Sequence, residues 1–274
     1  MKPTLFMVLL PALAALALGA CASDSPRGGA ADMLAGETVV VAGGSGRAGR
    51  YVLRELKARG LTPHATTRNE AQARVRLGID AEGVEWLEAD LREPGQAERA
   101  VQGAAFVICV VGSREMAGPN SAQFVDFEGV RNLVDAAAAA GVRHFVLLSA
   151  IGASDRESAA NKIFKGALEW RFRGEQHLRA SGIAYTIVRP AGLTDAPGGV
   201  QGVKLWQGDD WRAHLRKTIA RADLAQVLVE SLRNPGARHA TFEITNEAAE
   251  PPGSWRAQMA TLRADVPAPA ATPQ

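Results

Sequence analysis

A doubly wound α/β fold, with a mostly parallel sheet and helices on both faces, is predicted by three observations. Short apolar runs rich in β-branched residues alternate with longer stretches of helical spacing from Thr38 onward. The first run, Val39-Val40-Val41-Ala42, lacks polar alternation, as a strand covered on both faces requires. A glycine-rich turn, Gly43-Gly44-Ser45-Gly46-Arg47-Ala48-Gly49, then joins that run to the first helical stretch.

The elements follow in order. Residues 47–59 place Val52, Leu53 and Leu56 on one helical face, and Gly60 stops the helix. "PHATT", "VEWLEA", "AFVICVVG", "HFVLLSA", "AYTIVRP" and "TFEIT" read as the later strands. Between them, residues 70–77, 95–101, 121–140, roughly 162–180 and 222–232 read as helices. The fourth of these runs, counting from 47–59, ends in an alanine tract closed by Gly141. Residues 195–216 are rich in Gly and Trp, fit neither period, and are expected to form substrate loops beyond the sixth strand, in a loop region around 190–220. There Trp206 and Trp211 bracket Asp209 and Asp210; they either line a pocket for a planar ligand or cover a loop core. The tail from Asp265 is expected to be disordered.

Lys and Arg total 31 against 29 Asp and Glu, a net charge of +2, with no basic stripe, so the sequence carries no electrostatic footprint for nucleic acid. The first twenty residues stand apart. Lys2 precedes an apolar run over residues 5–18 that is short for a membrane span. Leu18-Gly19-Ala20-Cys21 follows and resembles the lipobox of bacterial lipoproteins. That resemblance implies cleavage before Cys21, a lipid on its thiol, and an exported protein anchored to a membrane facing the periplasm. An ordinary signal peptide is the alternative, and translation from Met33 would leave the protein in the cytoplasm. With Cys21 lipidated, Cys109 is the only other cysteine and no intramolecular disulfide forms. The expected organisation is a signal peptide (1–20), a lipidated tether (21–36), a nucleotide-binding domain (37–250), and a helix remnant with a tail (251–274).

The spacing Gly43-x-x-Gly46-x-x-Gly49, between a strand and a helix, suits a pyrophosphate. The first glycine permits a tight turn, the second lets backbone N–H groups approach the phosphate, and the third lets helix and strand pack closely. Ser45, Arg47 and Ala48 fill the loop and share the site, and the helix N-terminus adds partial positive charge. No acid stands at the end of the second strand; Arg68 does, and with Arg47 it could grip a 2′-phosphate. This favours NADP, with NAD as the alternative. A small molecule, unidentified from sequence, would be the second ligand.

The GxxGxxG spacing resembles that of the short-chain dehydrogenase/reductase superfamily, which has a Rossmann-like fold. Residues 161–195 and 221–235 are similar to its atypical NAD(P)H-binding group, the NmrA-like and biliverdin-reductase-B-like proteins. The likeness runs roughly from Thr38 to Asn246. It implies that Asp90 and Leu91 contact adenine. It also implies that Val111 and Gly112 form the ribose-side loop, that Ser149 ends the fifth strand beside the substrate, and that the turn Arg189-Pro190-Ala191 lies beside the nicotinamide.

The superfamily's usual proton donor is a Tyr with a Lys four residues later. The chain has 2 Tyr: Tyr51 is followed by Glu55 and Tyr185 by Arg189 at that spacing. At the matching place stand Ala167 and Arg171. Ser149 and Arg171 are therefore the catalytic candidates, although Arg stays charged and Ser149 is a weak acid or merely a strand-end hydroxyl. The five His show no metal spacing, and no G-x-S-x-G elbow exists. Two readings stay open: an NADPH-dependent oxidoreductase acting on a small conjugated acceptor of flavin or quinone type, and a nucleotide-binding scaffold without turnover.

Overall fold

The computed structural model describes residues 34–155, 161, 166–208, 211–214 and 216–266. The expectations for the signal segment, for Cys21, and for residues 162–165, 209–210 and 267–274 lie outside the described residues.

Strand β1 (Val39–Ala42) turns through the glycine loop into α1 (Gly49–Ala58). Then β2 (His64–Thr67) leads to α2 (Glu70–Leu77), and β3 (Glu85–Glu88) to α3 (Pro94–Val101). β4 (Phe106–Cys109) precedes a π-helical turn (Gln123–Glu128) that runs into α4 (Gly129–Ala139). β5 (His144–Leu148) is followed by α5 (Ala167–Ala180) and β6 (Tyr185–Pro190). The remaining elements are β7 (Gly192–Thr194), β8 (Gly202–Trp206), β9 (Thr218–Ala220), α6 (Arg221–Ser231), β10 (Ala240–Glu247) and α7 (Trp255–Ala260).

The sheet has eight strands in the order β3-β2-β1-β4-β5-β6-β10-β8. All neighbours are parallel except β8, which runs antiparallel to β10 with Leu205 opposite Ile244. This is the predicted Rossmann-like α/β fold. Strands β1, β4, β5 and β6 are wholly buried, which explains their unbroken apolar runs. α1 packs with α6 on one face, while α3, α4 and α5 pack together on the other.

Three local features differ from the sequence expectation. Residues 195–216 are not only loop, because Gly202–Trp206 completes the sheet edge, burying Val203 and Leu205 while Lys204 and Trp206 stay half-buried. The helix expected over 121–140 opens with one π-helical turn, a local widening that turns Asp126 inward to burial. The tail does not begin at Asp265: its N–H donates to the His239 carbonyl at 2.6 Å, and its Oδ2 accepts from Tyr185 Oη at 3.0 Å and Thr241 Oγ1 at 2.6 Å. Among the described residues, no helix is long and apolar enough to cross a membrane.

Candidate functional site

The strand order reverses between β1 and β4, and loops leaving neighbouring parallel strands there diverge to opposite faces. A cleft of about 690 Å³ opens at that point, at the carboxyl ends of β1, β2, β4, β5 and β6. Its walls include Gly43, Ser45, Gly46, Arg47 and Ala48 after β1, and Arg68 after β2. Asp90 and Leu91 follow β3, Val111 and Gly112 follow β4, Ser149 follows β5, and Pro190 and Ala191 sit at the end of β6.

The glycine loop is built for close approach. Gly43 has φ +82° and donates its N–H to Thr66 Oγ1 at 3.0 Å, while Gly46 N–H bonds the Gly43 carbonyl at 2.9 Å. A Cβ on Gly49 would lie 2.4 Å from the Gly43 oxygen, and one on Gly44 2.6 Å from Ala65 Cβ. The start of α1 has no side-chain cap, and Arg50, Tyr51 and Val52 already donate to the Gly46 and Ala48 carbonyls, so the loop amides ahead of them are the ones placed to meet an anion. The cleft wall is rich in arginine: Arg47, Arg68, Arg76, Arg92, Arg114, Arg171 and Arg221 line it beside Asp90 and Glu115, while Asp195 pairs with Arg47 and Arg221 and Asp126 with Arg171. Arg68 is held by Asn120 Oδ1 at 2.7 Å. Arg92 grips Asp90, with Nε at 2.8 Å from Oδ1, and these hydrogen bonds hold the Asp90 carboxyl below its ordinary range. The Asp90 N–H is taken by Gln96, so Leu91 offers the uncommitted surface at that end. Asn132 fixes the same loop by donating to the Leu91 and Arg92 carbonyls at 3.1 and 2.9 Å. These residues and spaces fit a dinucleotide: loop amides for the pyrophosphate, and Arg68, held by a neutral amide oxygen, for further phosphate charge.

At the other end, Arg171 Nη2 lies 2.6 Å from Asp126 Oδ1, and its Nη1 lies 3.4 Å from the Ser149 carbonyl. Asp126 is buried, and its Oδ2 accepts the Ser113 N–H at 2.9 Å. Gly112 makes room for this pair, since a Cβ there would lie 2.7 Å from Arg171 Nη2. The Ser149 hydroxyl is buried in the wall with no hydrogen-bond partner among the described residues. No Tyr, Lys, His or Cys lines the cleft among the described residues. Tyr185 instead donates to Asp265, and burial pushes its phenol pKa up.

One sequence expectation is corrected, and one of two open alternatives is favoured. The Arg189 side chain does not line the cleft: strand alternation turns it to the opposite side from Pro190, where its Nε and Nη2 bond Glu175 at 2.9 and 2.6 Å and Nη1 lies 3.4 Å from Glu243. It ties α5 to β6 rather than meeting a ligand. Trp206 packs on His214, with centroids 4.4 Å apart, and donates its indole N–H to Thr245 at 3.0 Å, so it covers a loop core and does not wall the cleft.

Sequence reasoning missed Asp126, Asp195 and Arg221. Asp195 accepts from Arg47 Nη2 at 2.6 Å and from Arg221 Nη1 at 2.8 Å; the Arg47 hydrogen bond foremost, then Arg221, holds its carboxyl below the usual range. The pairing joins positions 148 and 26 residues apart, which only the topology brings together. No cluster able to hold a metal ion exists among the described residues.

Comparison with known proteins agrees with this geometry. An uncharacterized chloroplastic protein of Arabidopsis thaliana is 30% identical over 242 residues, covering 79% of this chain and 71% of that protein. Sanguinarine reductase of Eschscholzia californica is 28% identical over 244 residues, covering 76% of this chain and 88% of the reductase. A solved structure from Bacillus halodurans, assigned as an NAD-dependent epimerase/dehydratase, superposes with a TM-score of 0.68 at 26% identity, over 81% of this chain and all of that one (100%). A family model described as NAD(P)H-binding matches residues 43–235, and the chain therefore belongs to that NAD(P)H-binding family.

Proposed function

We propose that the protein is an NADPH-dependent oxidoreductase that reduces a small conjugated acceptor of flavin or quinone type. The observation that carries this reading is the Ser149 hydroxyl, buried and unpartnered in a cleft whose described wall holds no tyrosine or lysine. Such a wall can orient a carbonyl oxygen but has no strong proton donor. Acceptors whose reduced anions are weakly basic need none, because water protonates them.

Bound NADPH would supply the hydride. The loop amides ahead of α1 hold the pyrophosphate, and Arg68 holds the 2′-phosphate together with the N–H groups of Arg47 other than the Nη2 bonded to Asp195. Leu91 packs against adenine, and Val111 and Gly112 border the ribose. Pro190 and Ala191 back the nicotinamide side of the cleft. Arg171, fixed by Asp126, holds a ribose hydroxyl where the superfamily has a lysine. Ser149 donates its hydroxyl proton in a hydrogen bond to the acceptor oxygen. The net reaction consumes one NADPH, one proton and the acceptor, and releases NADP and the two-electron reduced product.

Two measurements test this. Tryptophan-quenching titration should show tighter binding of NADPH than NADH, with the difference lost in Arg68→Ala. A panel of flavins, quinones and diketones should include an acceptor that oxidises NADPH, with Ser149→Ala reducing kcat. Tight NADPH binding without any oxidation would favour the scaffold reading, for which the locked Arg171–Asp126 pair is the supporting observation. We further infer from Leu18-Gly19-Ala20-Cys21 that the mature chain starts at a lipidated Cys21 and is exported. The mass of the mature N-terminal peptide decides between this and a start at Met33.

A further inference from the structure

Arg221 is an anomaly in the cleft wall. It is the first residue of α6 and is only 7% exposed, yet its Nε–H is buried without an acceptor. Its carboxylate partner is Asp195, at 2.8 Å from Nη1. Asp195 is half-exposed and is shared with Arg47 of the glycine loop at 2.6 Å. Two guanidinium groups thus divide one carboxylate. Burying an arginine costs desolvation that an exposed, shared partner only partly offsets. The N-terminus of α6 adds positive potential at the same place; no side chain caps it, and the buried Asp223 in its first turn offsets part of that potential. Arg221 borders Pro190, Ala191 and Leu193 in the wall, beyond the glycine loop that already serves the pyrophosphate.

Resting on the oxidoreductase reading, we propose that the acceptor carries an anionic group, a carboxylate, phosphate or sulfonate, and that Arg221 recognises it where Asp195 now stands in. Asp195 is then an internal competitor. The ligand's oxyanion takes over the Arg221 hydrogen bond, and Asp195 keeps Arg47.

The two residues make opposite predictions, which separates recognition from mere structural support. The assay compares 1,4-naphthoquinone with 1,4-naphthoquinone-2-sulfonate at saturating NADPH. The ratio of their kcat/KM values in each variant is divided by the wild-type ratio, so intrinsic ring reactivity cancels. Arg221→Met should lower the preference for the sulfonate by roughly tenfold, the effect of one charge-assisted hydrogen bond. Asp195→Asn, at an exposed site where folding is not at stake, should raise it several-fold. Both should act mainly on KM.

If both variants change the two quinones equally, or if Asp195→Asn lowers the sulfonate preference, the proposal is wrong. If Arg221→Met weakens NADPH itself in parallel, the anion belongs to the dinucleotide and the proposal is also wrong. Should no acceptor be reduced, equilibrium binding of the sulfonate in the presence of NADP, followed by tryptophan quenching, gives the same comparison. Anion-selective binding sensitive to Arg221 would then uphold the subsite while the turnover reading fails.

Discussion

Substituting Gly49 by alanine tests whether the loop is as closely fitted as its geometry says. A Cβ there would sit 2.4 Å from the Gly43 oxygen, 2.6 Å from the Gly44 oxygen and 2.7 Å from the Gly44 carbon, all backbone atoms that cannot rotate aside. Restoring a 3.0 Å contact requires α1 to retreat from the loop by about 0.6 Å or more. Gly49 begins α1, whose inner face buries Val52, Leu53 and Leu56, so the retreat also loosens the core. Overpacking of this kind costs roughly 1–3 kcal/mol, less the few tenths that alanine gains in a helix. For a domain of this size, that lowers Tm by about 3–10 °C. The shift also moves the loop amides ahead of α1 off a bound phosphate, so NADPH affinity should fall at least about tenfold. Thermal unfolding by circular dichroism and a quenching titration measure both. Gly95→Ala is the control, since nothing lies within 4 Å of its Cβ and its φ is unremarkable. If Gly49→Ala melts and binds NADPH as the wild type does, the close-approach argument for the glycine loop is refuted.

Three further outcomes are expected. Asp80 binds Arg54 at 2.5 and 2.7 Å and also Arg50; burial alone would raise its pKa, but the Arg54 hydrogen bonds prevail and lower it. Its stabilisation is therefore present above the unfolded carboxyl pKa of about 4 and lost as pH falls through the lower folded value. Asp80→Asn should cost about 1–2 kcal/mol at pH 7, discounted because Arg54 is half-exposed, and should flatten the urea-midpoint profile between about pH 4 and 2. Burial pushes the Cys109 thiol up to about 12, so it should resist a disulfide reagent at pH 8 until denaturant is added, as read by peptide mapping. Arg189→Met leaves the buried Glu175 with Arg179 as its remaining cation among the described residues and should cost roughly 3 kcal/mol or more in chemical denaturation, a result a ligand-contacting surface arginine would not give.

How legible this molecule is in its sequence depends on how far apart the cooperating residues lie. The parallel sheet was legible because β1, β4, β5 and β6 are buried on both faces and read as unbroken apolar runs. The glycine loop was legible because its requirements fall within seven residues. β8 was missed although Val203-Lys204-Leu205-Trp206 has period two in burial, because a tryptophan at a half-buried edge position breaks the apolar–polar alternation. Asp265 was missed for another reason: its partners Arg179, Tyr185 and Thr241 lie 86, 80 and 24 residues away, and local composition at a Pro- and Ala-rich end says nothing of them. The same holds for Asp126. It lies 45 positions from Arg171, and only the π-helical turn after β4 and the packing of α5 bring the two together. Arg189 shows the opposite error. A local motif suggested a ligand contact, while alternation along β6 directed the side chain to two glutamates.

The chemistry of the wall has a further consequence for how turnover responds to pH. The described cleft residues are apolar, hydroxyl-bearing or amide-bearing, apart from seven arginines and two acids. Arginine stays protonated throughout the accessible range, serine does not ionise within it, and Asp90 is held ionised by Arg92. The described wall holds no tyrosine paired with a lysine, the pair whose ionisation would show in the rate between about pH 6 and 9. At saturating NADPH and acceptor, kcat should therefore vary by less than about twofold over that range, with a quinone whose reduced form is protonated by water. Ser149→Ala should lower the plateau without giving it a slope. Saturation matters, because the 2′-phosphate of the cofactor itself titrates near the acid end and would tilt kcat/KM. A single ionisation in kcat between pH 6 and 9 would mean that a protein group delivers the proton. That group would have to come from outside the described wall, and the assignment of Ser149 as the sole orienting hydroxyl would fall with it.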